Sequence, residues 1–325
     1  MSASSLAKLS VTLLGRIRFP ISFTKIYGMS ETRERHDDRG SFTWDPPLKS
    51  YEDFDKLRMP EITVDPEATR IKKDLAEDTF GGILRVYRKN YWWWSLGMTY
   101  QFVLLRGLEN LMYDLYDEPE NVHKLMRFLT DCTLRKLEFL EREGLLSVNH
   151  DNDFIGSHSH GFTTQMPPVQ HGVVTPMNMW GFCESQETVS VSPDMFAEFV
   201  FPYQLEIAQK FGLNYYGCCE PLHNRFSIIR KIPRLRKISA SPWADLDQMR
   251  ELLGQRYVMS IKPNPAYIAV ENPDWDLVRS ELKRIFAATR GCVRELVMKD
   301  LNTIGNNPEH VKTWCRIAKE EAENA

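Results

Sequence analysis

The sequence predicts an α/β chain built on a parallel sheet, and three observations predict it. Brief apolar runs alternate with longer helical patterns from about Leu84 onward. Seven such runs are each followed by a helical pattern, and right-handed crossovers between β-then-α units give parallel strands. The polar residues of chemical interest fall at the C-terminal ends of these runs. The expected architecture is a (β/α)8 barrel in one domain, with a divergent or incomplete N-terminal segment. A doubly wound open sheet is the alternative, but it normally carries a Gly-rich phosphate loop after its first strand, and the chain has none.

The elements follow in order. "ILRVYRKNYWWWS" (83–95) begins as a strand, and a helical stretch covers roughly 99–117 with Leu104, Leu105, Leu108 and Leu111 on one side. A long helix follows. Pro119 suits its first turn, Val122, Leu125, Met126 and Leu129 keep helical spacing, and Gly144 stops it. "LLSVNHDND" (145–153) reads as a strand with acids at its end. "MNMWGFCESQ" (177–186) is the next, before a helix starting at Ser192-Pro193. "LNYYGCCE" (213–220) is a strand followed by a helix to about Lys231. "LRKISASPWAD" (235–245) is a strand, and its helix ends at Gly254. "RYVMSIKPNP" (256–265) is a strand, with a helix from Pro273 to Thr289. "VRELVMKD" (293–300) is the last strand, and "PEHVKTWCRIAKEEAE" the last helix. An eighth strand has to lie before residue 83, in "SVTLLGRIRF" (10–19).

Bulk composition excludes several classes. The 325 residues are 42% hydrophobic and 26% charged, which is ordinary globular composition. A net charge of -3 without a basic cluster leaves no footprint for nucleic acid. No apolar run is long enough to span a bilayer. Six irregularly spaced cysteines fit reduced thiols in a cytoplasmic setting rather than a disulfide scaffold. From Met1 to Ser30 there is no acid, while Lys8, Arg16, Arg18 and Lys25 are basic. A mitochondrial or other organelle leader has that composition, and so does a plain divergent start.

Asp151 and Asp153 end one predicted strand, and Glu184 and Gln186 the next. Cys218, Cys219 and Glu220 end a third; Ser241, Trp243 and Asp245 follow a fourth; Lys262 and Asn264 a fifth; Lys299 and Asp300 a sixth. In a parallel barrel these ends meet at one face, which points to an enzyme. Each residue also has a plain structural reading. Free cysteines are among the most buried residues. Successive strand residues point to opposite sides, so in strand geometry only one of Cys218 and Cys219 faces inward. His223 caps or is solvated beyond Pro221. "SHSHG" (157–161) puts His158 and His160 on one side for a metal if extended, and is otherwise a mobile loop between glycines. "NYWWWS" is an aromatic wall of core or pocket. The cysteines match no closed zinc finger or ribbon. Thiolates joined by a carboxylate from another strand make an open site, where zinc acts as a Lewis acid.

The segments "DEPENVHKLMRFLTD" (117–131), "WGFCESQETVSVSPDMFAEFVFPY" (180–203), "YYGCCEPLHNRFSIIRKIPRLRKISASPWAD" (215–245), "YVMSIKPNPA" (257–266) and "LVMKDLNTIGNNPEHVKTW" (296–314) carry a resemblance. In order and spacing the chain resembles the uroporphyrinogen decarboxylase superfamily, which includes the cobalamin-dependent methyltransferases. The resemblance implies one (β/α)8 barrel over residues 46–325, with 1–45 a divergent or flexible segment. The decarboxylases' arginine-rich N-terminal motif is missing, since Arg33, Arg35 and Arg39 lack its surroundings. Gly181 and Phe182 stand where paired aspartates are expected. The methyltransferase branch is closer. It holds zinc with His-x-Cys and a distal Cys; here Cys218 matches, while Tyr216 and a position near Asp300 depart.

The resemblance therefore implies a zinc-dependent methyltransferase that moves a methyl group from a methyl ether or methylamine to a corrinoid on a partner protein. Cys218, Glu184 and Asp300, with Cys219, are the metal candidates. Asp153 or Glu187 protonates the leaving group, and Lys262 is a catalytic cation. Trp93, Gln186 and Trp243 bind substrate. Two alternatives are a metal-free carboxy-lyase using Lys262, Lys299 and Arg294 to hold carboxylates, and a catalytically inactive barrel with a binding role.

Overall fold

In the computed structural model, residues 8–12, 15–18, 25–30, 32–35, 42–90 and 92–325 are described. Arg39, Tyr91 and half of the stretch with leader-like composition lie outside them. The chain is α/β and divides into two compact units. One comprises Met1–Trp94, Tyr100–Val148 and Val169–Pro176; the other comprises Ser95–Thr99, Asn149–Pro168 and Met177–Ala325.

In the first unit, the run proposed for an early strand contributes to two strands. Lys8–Thr12 pairs in parallel with Arg85–Lys89, and Gly15–Arg18 pairs antiparallel with Glu61–Val64. The helix Pro66–Phe80 is capped by Asp65, whose carboxylate accepts from the Ala68 N–H at 2.9 Å. The single helix expected over 99–117 is two, Thr99–Arg106 and Leu108–Asp117. Gly107 breaks it at a φ of 91°, a conformation open to glycine. The long helix Pro119–Arg142 forms as its spacing predicts, burying Val122, Leu125, Met126 and Leu129.

The second unit is built on a five-stranded parallel sheet whose strands follow chain order: Trp180–Cys183, Leu213–Tyr216, Leu235–Ala240, Val258–Ile261 and Val293–Leu296. The first two strands are buried at every residue, as a sheet covered on both faces requires. Ser192, Asp245 and Asp274 cap the helices Pro193–Phe199, Leu246–Leu253 and Trp275–Ala288. Two apolar clusters hold the unit. Ile155, Trp180, Phe182, Leu213 and Tyr215 pack together in one. In the other, Val278, Leu282 and Phe286 pack with Trp314 and Ile317 of the last helix, Glu309–Glu323.

The strand expected over 145–153 does not form. The Asn149 amide occupies the position of a ladder: its Oδ1 accepts from the Trp180 N–H at 2.7 Å and its Nδ2 donates to the Trp180 carbonyl at 3.1 Å. The chain instead makes a small antiparallel hairpin, Phe154–Gly156 with Ser159–His160, turning at Ser157 and His158 with φ of 43° and 61°. The "SHSHG" run is thus the turn and return strand of a hairpin. No helix among the described residues is long and apolar enough to cross a membrane.

Candidate active site at the strand ends

The first strand delivers Glu184 immediately after Cys183, and Glu184 is fully buried. Burying a carboxyl demands partners, and both oxygens have them. The Ser95 hydroxyl donates to Oε1 at 2.9 Å, and the Gln186 N–H donates to Oε2 at 3.1 Å. The segment Ser95–Thr99 lies against the strand end. Leu96 N–H donates to the Phe182 carbonyl at 2.9 Å, and a Cβ on Gly97 would fall 2.1 Å from the Glu184 carbonyl oxygen. Gln204 ties the two together by donating from Nε2 to the carbonyls of Gly97 and Glu184, at 2.8 and 2.9 Å.

Two further acids stand close by. Glu187 is half-buried; it accepts from the Thr99 hydroxyl at 2.7 Å, and the Gln186 amide lies 3.4 Å from its other oxygen. Glu220 is buried and accepts from the backbone N–H groups of Ser185 and Cys218 at 2.9 and 3.0 Å. Burial pushes the Glu184 carboxyl well above the usual range, and the charges of Glu187 and Glu220 add to it. Burial likewise raises Glu187, against the opposing hydrogen bond from Thr99. Like charges in one buried site cannot all ionise, so the group retains a proton at higher pH than an isolated carboxyl.

Arg225 closes the back of this cluster. It is buried, with Nη1 3.2 Å from the Thr188 hydroxyl and Nη2 donating to the carbonyls of Thr188 and of Val191, the latter at 2.6 Å. Its guanidinium carbon lies 4.7 Å from the Phe196 ring centroid. Burial lowers its pKa. The Tyr216 hydroxyl donates to Gln204 Oε1 at 2.7 Å and lies 3.1 Å from Ser185 Oγ.

The cysteines are arranged differently from the strand expectation. The second strand stops at Tyr216 and Gly217 turns the chain at a φ of 98°, so neither Cys218 nor Cys219 is in strand geometry. The alternation that would separate them is lost, and the two sulfurs lie 3.5 Å apart. Cys218 is buried and Cys219 half-buried. The hydrogen bond between the two thiols, with the Lys299 ammonium, brings the Cys219 thiol down to about 6. Its contact with Cys219 and its burial push the Cys218 thiol up.

Lysines occupy the next strands. Lys262, after the fourth strand, is 1% exposed. Its Nζ donates to the Tyr215 hydroxyl at 2.8 Å and to Ser239 Oγ at 2.7 Å, and Ser239 in turn donates to the Cys218 carbonyl at 2.9 Å. Lys237 on the third strand pairs with Glu295 on the fifth at 2.9 Å and donates to Ser159 Oγ at 2.6 Å. Burial lowers the Lys237 pKa, against the opposing charge of Glu295.

The structure therefore brings Glu184, Gln186 and Glu187 together, and separately Cys218 with Cys219 and Lys299. Trp243 is 65% exposed, with the Lys299 ammonium 5.6 Å from its ring centroid. Asp300 is exposed and pairs with His158. Asp153 is on the stretch before the hairpin, its side chain 3.4 Å from the Asp151 N–H. His223 Nδ1 accepts from the Asp245 N–H at 3.4 Å, as a capping histidine does. Trp93 belongs to the other unit, where Lys136 Nζ lies 5.8 Å from its ring centroid. Ser95, Thr99, Gln204, Glu220 and Arg225 complete the acid cluster beyond the residues singled out from sequence. Gln204 had a legible signal, a polar residue on the buried stripe with Phe201, Ile207 and Ala208. Ser95 and Thr99 had none.

Zinc, which the resemblance implies, needs four donors. The two sulfurs are neighbours, but Glu184 already holds Ser95 and Gln186, and Asp300 holds His158. Among the described residues, no three His, Cys, Asp or Glu side chains are grouped to hold a metal ion. The donor set expected from sequence is thus not grouped among the described residues.

No protein-family model matches the chain. Comparison with curated proteins also gives no match. Among solved structures, it is similar to a methyltransferase from Methanosarcina mazei, with 12% identity and a TM-score of 0.46 over 82% of this chain and 73% of that one.

Proposed function

We propose that the chain is a methyltransferase of the uroporphyrinogen decarboxylase-like group, folded as a (β/α)8 barrel, acting on a small methyl ether or methylamine. The observation that carries this reading is the acid cluster after a parallel strand, where Glu184 accepts from Ser95 and Gln186 and Glu187 accepts from Thr99, with burial raising both carboxyls. Methyl transfer from oxygen or nitrogen breaks the carbon–heteroatom bond with its electron pair left on the heteroatom. A positioned acid that still holds its proton makes that departure feasible. Glu187, the half-buried member, gives the proton, and the Thr99 hydroxyl then holds the carboxylate formed. The charge of Glu187 raises Glu184, and the two carboxyls share the buried cluster that retains a proton. Gln186 orients the donor from beside it. The resemblance implies a corrinoid on a partner protein as the methyl acceptor, and that acceptor is part of the proposal.

The test supplies the full-length protein with cob(I)alamin and a panel of methyl ethers and methylamines, and follows methylcobalamin absorbance. Transfer in the wild type, falling about 10²-fold in Glu187→Gln, supports the reading. No transfer from any donor contradicts it.

A carboxy-lyase is a second reading, favoured by Lys262. Among the described residues this buried ammonium has hydroxyl partners and no ion-pair partner. A buried charge without a counterion is costly, and a substrate carboxylate would offset it. Carbon dioxide release that is lost in Lys262→Met would favour this reading over methyl transfer.

A further inference from the structure

The turn after the second strand brings two thiols together for no structural reason that the fold itself supplies. Gly217 leaves the strand at a φ of 98°, and a Cβ there would meet Leu222 Cδ1 at 2.4 Å, so the sharp exit depends on glycine. The backbone of the next residue is fixed from both sides: the Cys218 N–H donates to Glu220, and the Cys218 carbonyl accepts from Ser239. The sulfurs of Cys218 and Cys219 are left 3.5 Å apart, one buried and one half-buried. A buried thiol touching a more accessible one is the arrangement of an attacking and a resolving cysteine. The other four cysteines are Cys132 and Cys183, both buried, the half-buried Cys292 and the exposed Cys315.

We propose that Cys218 and Cys219 form a dithiol modification site for peroxides, closing reversibly to a disulfide between neighbouring residues. The Cys219 sulfur attacks one peroxide oxygen and the O–O bond breaks. The departing oxygen takes a proton and leaves as water or an alcohol, while Cys219 becomes a sulfenic acid. The Cys218 sulfur then attacks the Cys219 sulfur, the S–O bond breaks, and the hydroxide takes the Cys218 proton to leave as a second water. Two thiols are oxidised and one peroxide is reduced. The small ring closed between adjacent residues is strained, so a dithiol reductant reopens it. This inference does not depend on the proposed methyl transfer.

The test treats the reduced, folded protein with a small excess of hydrogen peroxide, blocks free thiols by alkylation and maps the digest by mass spectrometry. The expected result is a peptide carrying residues 218 and 219 that is lighter by two hydrogens, unalkylated, and restored by dithiothreitol. In Cys218→Ser, the sulfenic acid on Cys219 persists and is trapped by dimedone. Cys219→Ser gives neither product. Retention of both alkylatable thiols in the wild type, or a dimedone adduct that accumulates on wild-type Cys219, overturns the proposal. The wild-type map decides the question even if a variant fails to fold.

Discussion

The Ser95 hydroxyl and the Glu184 carboxyl, 89 positions apart, meet at 2.9 Å with both residues buried. This bond, with that from the Gln186 N–H, supplies partners to a carboxyl held inside the protein. It also makes the Ser95–Thr99 segment part of the acid cluster.

That segment depends on Gly97. A methyl group there would press on the Glu184 carbonyl oxygen at 2.1 Å, backbone against backbone, with no flexible side chain to yield. Gly97→Ala is expected to cost about 1–3 kcal/mol and lower the melting temperature. Gly82→Ala, whose new carbon meets nothing within 4 Å, is the control and leaves melting close to wild type.

The acid cluster makes stability depend on pH. Glu184 and Glu187 have an ordinary value of 4.5 and are raised in the folded chain. Below the unfolded value both states are protonated, and the full stability is present. As pH rises beyond it, the unfolded chain ionises first, and stability falls until the folded values are passed. Urea denaturation from acid to mildly alkaline pH checks this. The fall becomes shallower in Glu184→Gln.

Arg225 supports the cluster through its contacts with backbone carbonyls. Arg225→Met removes the guanidinium donors of both carbonyls; Thr188 keeps the Val191 N–H as a donor, while the buried Val191 carbonyl loses the Arg225 bond. The expected loss is about 3 kcal/mol, read from the urea midpoint. A loss below about 0.5 kcal/mol would mean that the site does not need the guanidinium.

Asn149 offers a test away from the acids. Its amide exchanges two hydrogen bonds with the Trp180 backbone. Asn149→Ala should cost about 2 kcal/mol and expose the Trp180 amide to faster hydrogen exchange.

Much of the second unit was legible in the sequence. Apolar runs bounded by turn residues fall on all five strands of the sheet, and Ser192 announces its helix as an N-cap. The failures have local causes. The 145–153 run has strand composition, but the ladder position beside Trp180 goes to the Asn149 side chain, and composition cannot reveal that exchange. The apolar run extends the predicted strand past Gly217 to the adjacent cysteines, whereas the chain leaves the strand at that glycine. Glu184 and Gln186 are legible as the end of a predicted strand, and Glu187 follows them directly in the chain. Ser95 and Thr99 reach the same place only through tertiary structure. Asp300, one of the expected metal ligands, follows the last strand, yet its partner is His158 at the hairpin turn, a pairing that only tertiary structure reveals.

The central claim is that Glu187, kept protonated beside Glu184, donates to the leaving group in methyl transfer. The most direct measurement is the pH dependence of methyl transfer to cob(I)alamin by the wild type, Glu187→Asp and Glu187→Gln. The account predicts activity that declines as pH rises through the raised carboxyl pKa, partial activity in Glu187→Asp, and about 10²-fold loss with a flat profile in Glu187→Gln. Wild-type activity and an unchanged pH profile in Glu187→Gln would contradict it.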